Sequence, residues 1–157
     1  MGESCFFIGH RDAREAIYPT LEERVMDCIL RFGVSEFFVG HYGSFDRMAA
    51  KAVIEAKKDY PDIKLRLVLP YHPAVRPMPL PDGFDGSYYP WSDERIPYRL
   101  AILKTNQHMV RTCDFLIAYA WHPASSARDL IEYAKTMGTP VVNIPEINQS
   151  FNGGLYC

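Results

Sequence analysis

Short apolar runs alternate along the chain with longer segments whose apolar residues recur at helical spacing. The apolar runs predict five buried strands, at residues 5–8, 36–39, 64–69, 115–119 and 140–144. Helical spacing predicts four helices between them, near residues 20–32, 44–56, 98–112 and 126–137. Strands that are almost continuously apolar and separated by helices form parallel sheets covered on both faces. The pattern therefore predicts an α/β fold, a doubly wound parallel sheet of about five strands with helices on both faces.

The predicted helices begin and end at recognisable signals. Thr20–Glu23 and Ser126–Asp129 have the spacing of a capping box, and Ser44 is a candidate cap for the second helix. Gly33 and Gly138 follow the last apolar positions of two helices and are the expected stops.

Residues 70–97 interrupt the alternation of strands and helices. This segment holds seven of the twelve prolines together with several aromatic residues. A long irregular stretch in a compact domain is usually a functional loop or lid, or is mobile. Its aromatic residues Tyr88, Tyr89 and Trp91 would either stack on a planar ligand group or fasten the loop to the rest of the protein.

The length and charge of the chain narrow the classes of function. Its 157 residues have the size of one domain, which we expect to span 1–157, with a core at 4–144 and a loose tail at 145–157. The net charge of −2 argues against a protein whose main task is gripping nucleic acid, although a basic pocket for one small anion remains open. No signal peptide and no bilayer-length apolar run is visible, so we expect a cytoplasmic protein without membrane contact.

The four cysteines show no metal-ligand spacing. Cys5, Cys28 and Cys113 fall in apolar runs and are predicted to be reduced core residues, whereas Cys157 is terminal. We therefore expect no disulfide framework, no metal and no cofactor.

The positions just after the strands are the most informative, because ligands of doubly wound sheets bind beyond the carboxyl ends of the strands. Polar or glycine-rich segments follow four predicted strands, at residues 9–12, 40–47, 70–72 and 120–126. We expect these four segments to meet at one edge of the sheet.

The segment after the second strand has the features of a phosphate-binding turn. Gly40 and Gly43 let backbone N–H groups approach a ligand, and the helix that follows offers unpaired N–H donors and a partial positive charge. Ser44 would add a hydroxyl donor. The alternative is that Gly40 only ends a strand and Ser44 only caps a helix, since a strand–glycine–helix turn is a weak motif.

A histidine and an arginine follow the first strand. The guanidinium of Arg11 would make paired contacts with a phosphate or carboxylate, or else form a surface ion pair with Asp12 or Glu15. His10 would face the same ligand or simply bond a loop carbonyl. Gly9 lies between the strand and these two side chains.

Asp46 and Arg47 lie in the first turn of the second predicted helix. Asp46 would accept a hydrogen bond from a ribose hydroxyl or orient Arg11, unless it only interacts favourably with the helix dipole. Arg47 is a second candidate cation beside the phosphate-binding turn.

Further candidates lie near the later strands. Ser125 and Ser126 precede the last helix, where small residues permit a ligand to approach and hydroxyls donate; helix capping would explain Ser126 but not Ser125. Tyr71 belongs to the aromatic residues that would cover a base. Asn106 lies on the third helix and alone indicates only a helix face.

Taken together, these segments resemble the SLOG superfamily. The resemblance is to its YpsA-like (YspA-like) branch, which was formerly listed as a domain of unknown function, DUF1273. The start resembles the family's F-x-G-H-R, the second turn its G-G-x-x-G-x-D-x-x-A, and the third strand its Y-P-x-I-K-L. The third helix is similar to its R-N-x-x-M-V and the last helix to its Y-A-K-x-x-G. The matching segments occur in the family's order, at Cys5–Arg11, Gly40–Ala49, Tyr60–Leu65, Lys104–Val110 and Tyr133–Gly138.

The resemblance implies a Rossmann-like fold, related to the LOG (lysine decarboxylase-like) hydrolases that activate cytokinins and to the DNA-processing protein DprA. It also implies a nucleotide or nucleotide-derived ligand, and its self-associating members make a homodimer a fair expectation. The ligand-site positions that match the family's motifs are Gly9, Arg11, Gly40, Gly43, Asp46 and Asn106.

The chain departs from the family pattern at two turns. His41 stands where the family has the second glycine of a pair, and Ser125–Ala127 stands where it has Gly-Gly-Thr, which leaves less backbone room for phosphate. The P-G-G-x-G-T-x-x-E motif of the hydrolases is not reproduced, and no carboxylate falls at its glutamate. Cleavage of an N-glycosidic bond needs a carboxylate, for which Asp46 is the best candidate and Glu94 another.

Three hypotheses follow for the function. The leading one is binding or sensing of a phosphorylated, nucleotide-like small molecule at the carboxyl edge of the sheet. An enzymatic alternative is a nucleoside 5′-monophosphate phosphoribohydrolase. A third is a protein-interaction or weak DNA-binding module, and the net charge makes nucleic acid the unlikely partner.

Overall fold

The computed structural model describes residues 2–92 and 95–146. Within these ranges one sheet contains six strands, all parallel, in the order β4-β3-β2-β1-β5-β6. The strands are β1 (Glu3–Gly9), β2 (Val34–Val39), β3 (Lys64–Val68), β4 (Gly86–Tyr88), β5 (Phe115–Tyr119) and β6 (Val141–Asn143). The helices are α1 (Tyr18–Phe32), α2 (Ser44–Lys57), α3 (Ala101–Thr112) and α4 (Ser126–Met137), with 3₁₀ turns at Glu15–Ile17 and Tyr98–Leu100.

The central strand β1 is buried on both faces, as its apolar sequence predicts. Cys5 and Phe7 pack in the layer that holds the buried residues of α1 and α2. Phe6 and Ile8 point the other way and pack with the buried residues of α3 and α4. Side chains alternate across a strand, so each helix layer receives every second residue of β1. The prediction of a doubly wound sheet with helices on both faces is confirmed.

The buried cysteines also match expectation. Cys5, Cys28 and Cys113 are free and lie in the core. Burial raises the pKa of the Cys113 thiol to about 12, so this side chain stays uncharged at neutral pH.

β4 is the one described strand beyond the five that the sequence predicts, and it lies inside the segment predicted to be irregular. Its residues pair with β3, where Leu67 lies opposite Ser87. The carboxylate of Asp85, just before β4, accepts hydrogen bonds from the ammonium of Lys57 at 2.6 Å and from the N–H of Leu65 at 2.8 Å. Three residues are too few to give a periodic pattern, so tertiary contacts rather than local sequence define this strand.

The segment after β4 is fastened to α3. Trp91 is buried, and its indole N–H donates to the hydroxyl of Thr105 at 2.7 Å. The Tyr88 ring packs edge-on against Phe38, and its hydroxyl lies 3.1 Å from the Nε2 of His108. For Tyr88 and Trp91 the fastening interpretation is therefore confirmed.

Helix starts differ from the predictions more than helix stops. α1 begins at Tyr18, with Ile17 at the N-cap and no side-chain cap, so the capping box predicted at Thr20–Glu23 is wrong. Gly33 and Gly138 end their helices in the left-handed conformation, as predicted.

The starts of α2 and α4 are each displaced by one residue from their predicted caps. Gly43 is the N-cap of α2, and the hydroxyl of Ser44 donates instead to the carbonyl of Ala13 at 2.6 Å. Ser125 caps α4 by accepting from the N–H of Arg128 at 3.1 Å, so Ser126 lies inside the helix. The box predicted at Ser126–Asp129 is therefore wrong.

Candidate functional site

A cavity of about 180 Å³ lies beyond the carboxyl end of β1. From β1 the chain continues to β2, β3 and β4 on one side of the sheet, and β5 and β6 lie on the other side of β1. The strand order therefore changes direction at this point. Apolar side chains of β1, α3 and α4 line one part of the cavity. Eight predicted site residues line it as well: Gly9, His10, Arg11, Gly40, Asp46, Asn106, Ser125 and Ser126.

The other four predicted site residues lie outside this cavity. Ser44 and Arg47 line a separate cavity beside α1. Tyr71 lines a neighbouring cavity of about 290 Å³. Gly43 packs against the backbone of Arg11, where an added Cβ would lie 2.6 Å from the Arg11 Cα.

The glycines of the site make room for protein atoms. A Cβ on Gly9 would lie 2.2 Å from the ring of Phe45. A Cβ on Gly40 would lie 2.9 Å from the Tyr42 ring and 3.2 Å from a carboxylate oxygen of Asp46. Gly9 and Gly43 thus let the segment after β1 pack against the start of α2, whereas Gly40 lets Tyr42 and Asp46 lie close to their own turn, because a Cβ at any of these positions would require a shift.

Arg11 is exposed at the cavity, and its guanidinium forms no ion pair with any residue of the described ranges. The alternative of an ion pair with Asp12 or Glu15 is therefore wrong. The Arg11 carbonyl accepts the N–H of Ser44 at 2.7 Å, which fixes its backbone against the start of α2. A positive charge is thus held at the edge of the cavity with its donors available to an anion.

Asp46 is the one acidic side chain that lines the cavity within the described part of the chain. Burial raises the pKa of Asp46 to about 6, while the N–H of Tyr42, which donates to its Oδ2 at 2.9 Å, and the charge of Arg11 act in the opposite direction. The carboxylate is therefore ionised at neutral pH and becomes protonated in mild acid. Glu94, the other sequence candidate, lies outside the described residues.

His10 joins the segments that follow the neighbouring strands β1 and β5. Its Nε2 accepts the backbone N–H of His122 at 3.3 Å, and its ring packs edge-on against Tyr119 and Trp121, both with centroids at 5.5 Å. Burial lowers the pKa of His10, so the ring is neutral and accepts through Nε2. The alternative stated from the sequence, a bond from the ring to a loop carbonyl, is not what this nitrogen makes, since its partner is the N–H of His122.

The start of α4 contributes polar groups to the cavity. The Ser125 hydroxyl is occupied, since it donates to the His122 carbonyl at 2.9 Å and caps the helix. Ser126 and Asn106 also line the cavity, and their side chains have no hydrogen-bond partner among the described residues. The first N–H groups of a helix have no partner within the helix, so this end of α4 is a suitable seat for an anion.

Sequence reasoning missed Tyr42, Ile102 and Arg76. Tyr42 and Ile102 line both the first cavity and the neighbouring one, and Arg76 lines the second. Tyr42 lies between two glycines and Arg76 lies among prolines, so no periodic signal in the sequence marks either residue. Only the folded chain brings them together.

The described residues contain no cluster of His, Cys, Asp and Glu side chains that would hold a metal ion. In the same ranges, no helix has the length and apolar character needed to cross a bilayer.

The fold is that of a Rossmann-like α/β protein, with a cavity at the carboxyl edge of its sheet. No family model matches the chain. A search of curated protein sequences also found no match.

A similar solved structure is DNA processing protein A from Helicobacter pylori, a protein that binds single-stranded DNA. The TM-score is 0.66 at 13% sequence identity, and the match covers 99% of this chain and 74% of the other. At this identity the likeness shows only the fold. The family resemblance stated from the sequence implied a fold related to that of this protein. The likeness leaves nucleic-acid binding open, against the expectation that nucleic acid is an unlikely partner.

Proposed function

We propose that the protein binds a small phosphorylated, nucleotide-like molecule at the carboxyl edge of the sheet. The observation that carries the proposal is the shared cavity of Arg11, Asp46 and the start of α4, in which the Arg11 guanidinium has no ion-pair partner among the described residues. An unpaired guanidinium beside a helix N-terminus is suited to a phosphate, and a nearby carboxylate is suited to hydroxyl groups.

In this proposal the phosphate lies between Arg11 and the start of α4. Ser126 donates its hydroxyl, and the first N–H groups of α4 point toward the same charge. The Gly40–Ser44 turn loses the role that the sequence suggested, because Gly43 packs on Arg11 and the Ser44 hydroxyl is occupied by Ala13. Asp46 accepts from a ribose hydroxyl.

The size of the cavity limits what the first site holds. Small-molecule sites usually measure about 300–1,000 Å³, and this cavity measures about 180 Å³. It therefore suits a sugar phosphate rather than a whole nucleotide. The neighbouring cavity of about 290 Å³ shares Tyr42 and Ile102 with it and offers the remaining space.

Titration calorimetry with ribose 5-phosphate and nucleoside monophosphates tests the proposal. We expect saturable binding that Arg11→Gln weakens by about 10- to 100-fold, since a hydrogen bond to a charged group is worth about 1.5–3 kcal/mol. Arg31→Gln is the matched control, because Arg31 lies in the last turn of α1, at the opposite edge of the sheet. Absence of binding to any of these compounds, or equal loss in both variants, would refute the proposal.

The hydrolase alternative depends on Asp46. Its pKa near 6 suits a general base, but glycosidases generally use two carboxylates. Release of free base from a nucleoside monophosphate, abolished in Asp46→Asn, would favour the enzyme over the binding protein.

A second candidate function is binding of single-stranded DNA, which the solved neighbour performs. Residues 95–112 contain Arg95, Arg99, Lys104 and Arg111, all exposed, and no acidic residue, so this segment is basic despite the net charge of −2. Fluorescence anisotropy with a labelled oligothymidine decides the point. Affinity that falls steeply with salt and survives Arg11→Gln would favour DNA over the small ligand.

A further inference from the structure

We propose that the neighbouring cavity of about 290 Å³ receives the base of the nucleotide. Arg76 would make this cavity selective for 6-oxopurines, guanine or hypoxanthine, over adenine. This inference rests on the proposed function and adds the class of base to it. Arg76 and Tyr71 line this cavity, and Tyr42 and Ile102 connect it with the first one.

The Arg76 guanidinium is held in a defined orientation. Its Nη1 donates to the Tyr98 hydroxyl at 2.6 Å, and its Cζ lies 5.0 Å from the centroid of the Tyr71 ring. Tyr71 in turn stacks on Tyr98, with ring centroids 4.4 Å apart. The two tyrosines thus act as positioning residues for Arg76, a different role from the base-covering one that the sequence suggested for Tyr71.

The donors of Arg76 remain available to a ligand. Within the described residues no carboxylate forms an ion pair with it, and a guanidinium carries five N–H groups, of which one is used by Tyr98. Leu69, Pro70, Met78 and Ile102 supply apolar walls to the same cavity. His41 lines this cavity as well, and burial and the nearby charge of Arg76 lower its pKa, so Arg76 supplies the cation. Apolar walls with a single cation favour a planar base over a second phosphate, which needs several donors.

The chemistry of the base edge decides the selectivity. Guanine presents two acceptors, O6 and N7, that match the paired donors of an arginine, and hypoxanthine has the same two atoms. Adenine carries an amino group in place of O6, and this donor would face a cation that has no acceptor. A good paired contact of this kind discriminates by roughly tenfold or more.

Titration calorimetry with GMP, IMP, AMP and ribose 5-phosphate tests this inference. The wild-type protein should bind GMP and IMP about tenfold more tightly than AMP. Arg76→Gln should bring the three nucleotides to within about twofold of one another and leave the affinity for ribose 5-phosphate unchanged, as should the control Arg31→Gln for all four compounds. Tyr98→Phe, which removes only the hydroxyl that orients Arg76, should reduce the selectivity in part, and it serves if Arg76→Gln does not fold.

Three results would overturn the inference while leaving the proposed function in place. The first is equal or tighter binding of AMP by the wild type. The second is undiminished selectivity in the Arg76→Gln and Tyr98→Phe variants. The third is a loss of ribose 5-phosphate affinity in Arg76→Gln as large as the loss for GMP, which would assign Arg76 to the phosphate. Failure of all four compounds to bind the wild type would instead refute the proposed function itself.

Discussion

At the scale of single residues, Asp46 is held where its charge is unfavourable. Burial raises its pKa to about 6 from an ordinary value of 3.8, even though the Tyr42 N–H and the Arg11 charge favour the ionised form. The folded protein therefore binds the proton of the Asp46 carboxyl more tightly than the unfolded chain does. The stabilisation that this protonation gives is present below about pH 4 and is lost as the pH rises through 6.

Asp46→Asn should consequently stabilise the protein at neutral pH. We expect the free energy of unfolding to rise by about 3 kcal/mol at pH 7.5 and to change little at pH 4, because the amide oxygen still accepts the Tyr42 N–H and carries no charge. Urea denaturation at the two pH values measures this difference. A variant less stable than the wild type at pH 7.5 would show that the ionised carboxylate is stabilising where it lies.

Ligand binding by the same variant should change in the opposite direction. Asparagine replaces a charged acceptor by a neutral one, so the hydrogen bond from a ribose hydroxyl weakens. A residue that lowers stability and strengthens binding is characteristic of a functional site, where activity and stability conflict.

At the scale of elements, the first turn of α4 has two adjacent serines with different roles. Both line the cavity, but the Ser125 hydroxyl caps the helix, whereas the Ser126 hydroxyl has no hydrogen-bond partner among the described residues. The difference is not visible in the sequence, because either serine satisfies the composition of an N-cap, and the carboxylate at Asp129 favoured the wrong one.

Single alanine substitutions separate the two serines. Ser125→Ala should lower the free energy of unfolding by about 1 kcal/mol through loss of the cap, whereas Ser126→Ala should change it by less than about 0.5 kcal/mol. Ser126→Ala should instead weaken binding of ribose 5-phosphate. Chemical denaturation and calorimetry on both variants measure these effects, and the reverse order of stabilities would place the cap at Ser126.

Helix stops were easier to predict than helix starts for a physical reason. Gly33 and Gly138 adopt positive φ values of 69° and 78°, a conformation that glycine enters without steric penalty, so the residue type itself marks the position. The start of α1 has no such marker, since Ile17 offers no capping side chain. Strand β4 was missed because its three residues depend on the pairing with β3 and on the contact of Lys57 with Asp85.

At the scale of the whole molecule, topology made much of the cavity predictable. Parallel strands bring their carboxyl ends to one edge, so residues that follow different strands were expected to meet there. His10, Arg11 and Asp46 do so. The contribution of Tyr42 and Arg76 depends on side-chain directions and loop packing, which no local pattern records.

The long segment between β3 and α3 divides into two parts of different character. Residues 71–83 are mostly exposed, with few backbone hydrogen bonds, whereas the part from β4 to Trp91 pairs with β3 and packs on α3. We therefore restrict the prediction of a lid, made from the sequence for residues 70–97, to residues 71–83.

Hydrogen exchange tests this division in the intact protein. Amides of residues 71–83 should exchange much faster than those of β4 in the free protein, and saturation with GMP should slow the exchange of residues 71–78. Peptides from the last turn of α1 serve as the internal control and should not change. Equal protection of residues 71–83 and β4 in the free protein would contradict the division.

The two outermost strands, β4 and β6, have three residues each. Among the described residues, each outer edge therefore offers few unpaired backbone groups to a strand of another molecule, and short edge strands are one means by which proteins resist aggregation through sheet growth. We therefore expect that, if two copies of the chain associate, they do so through helices or loops, and that concentrated solutions resist fibril formation.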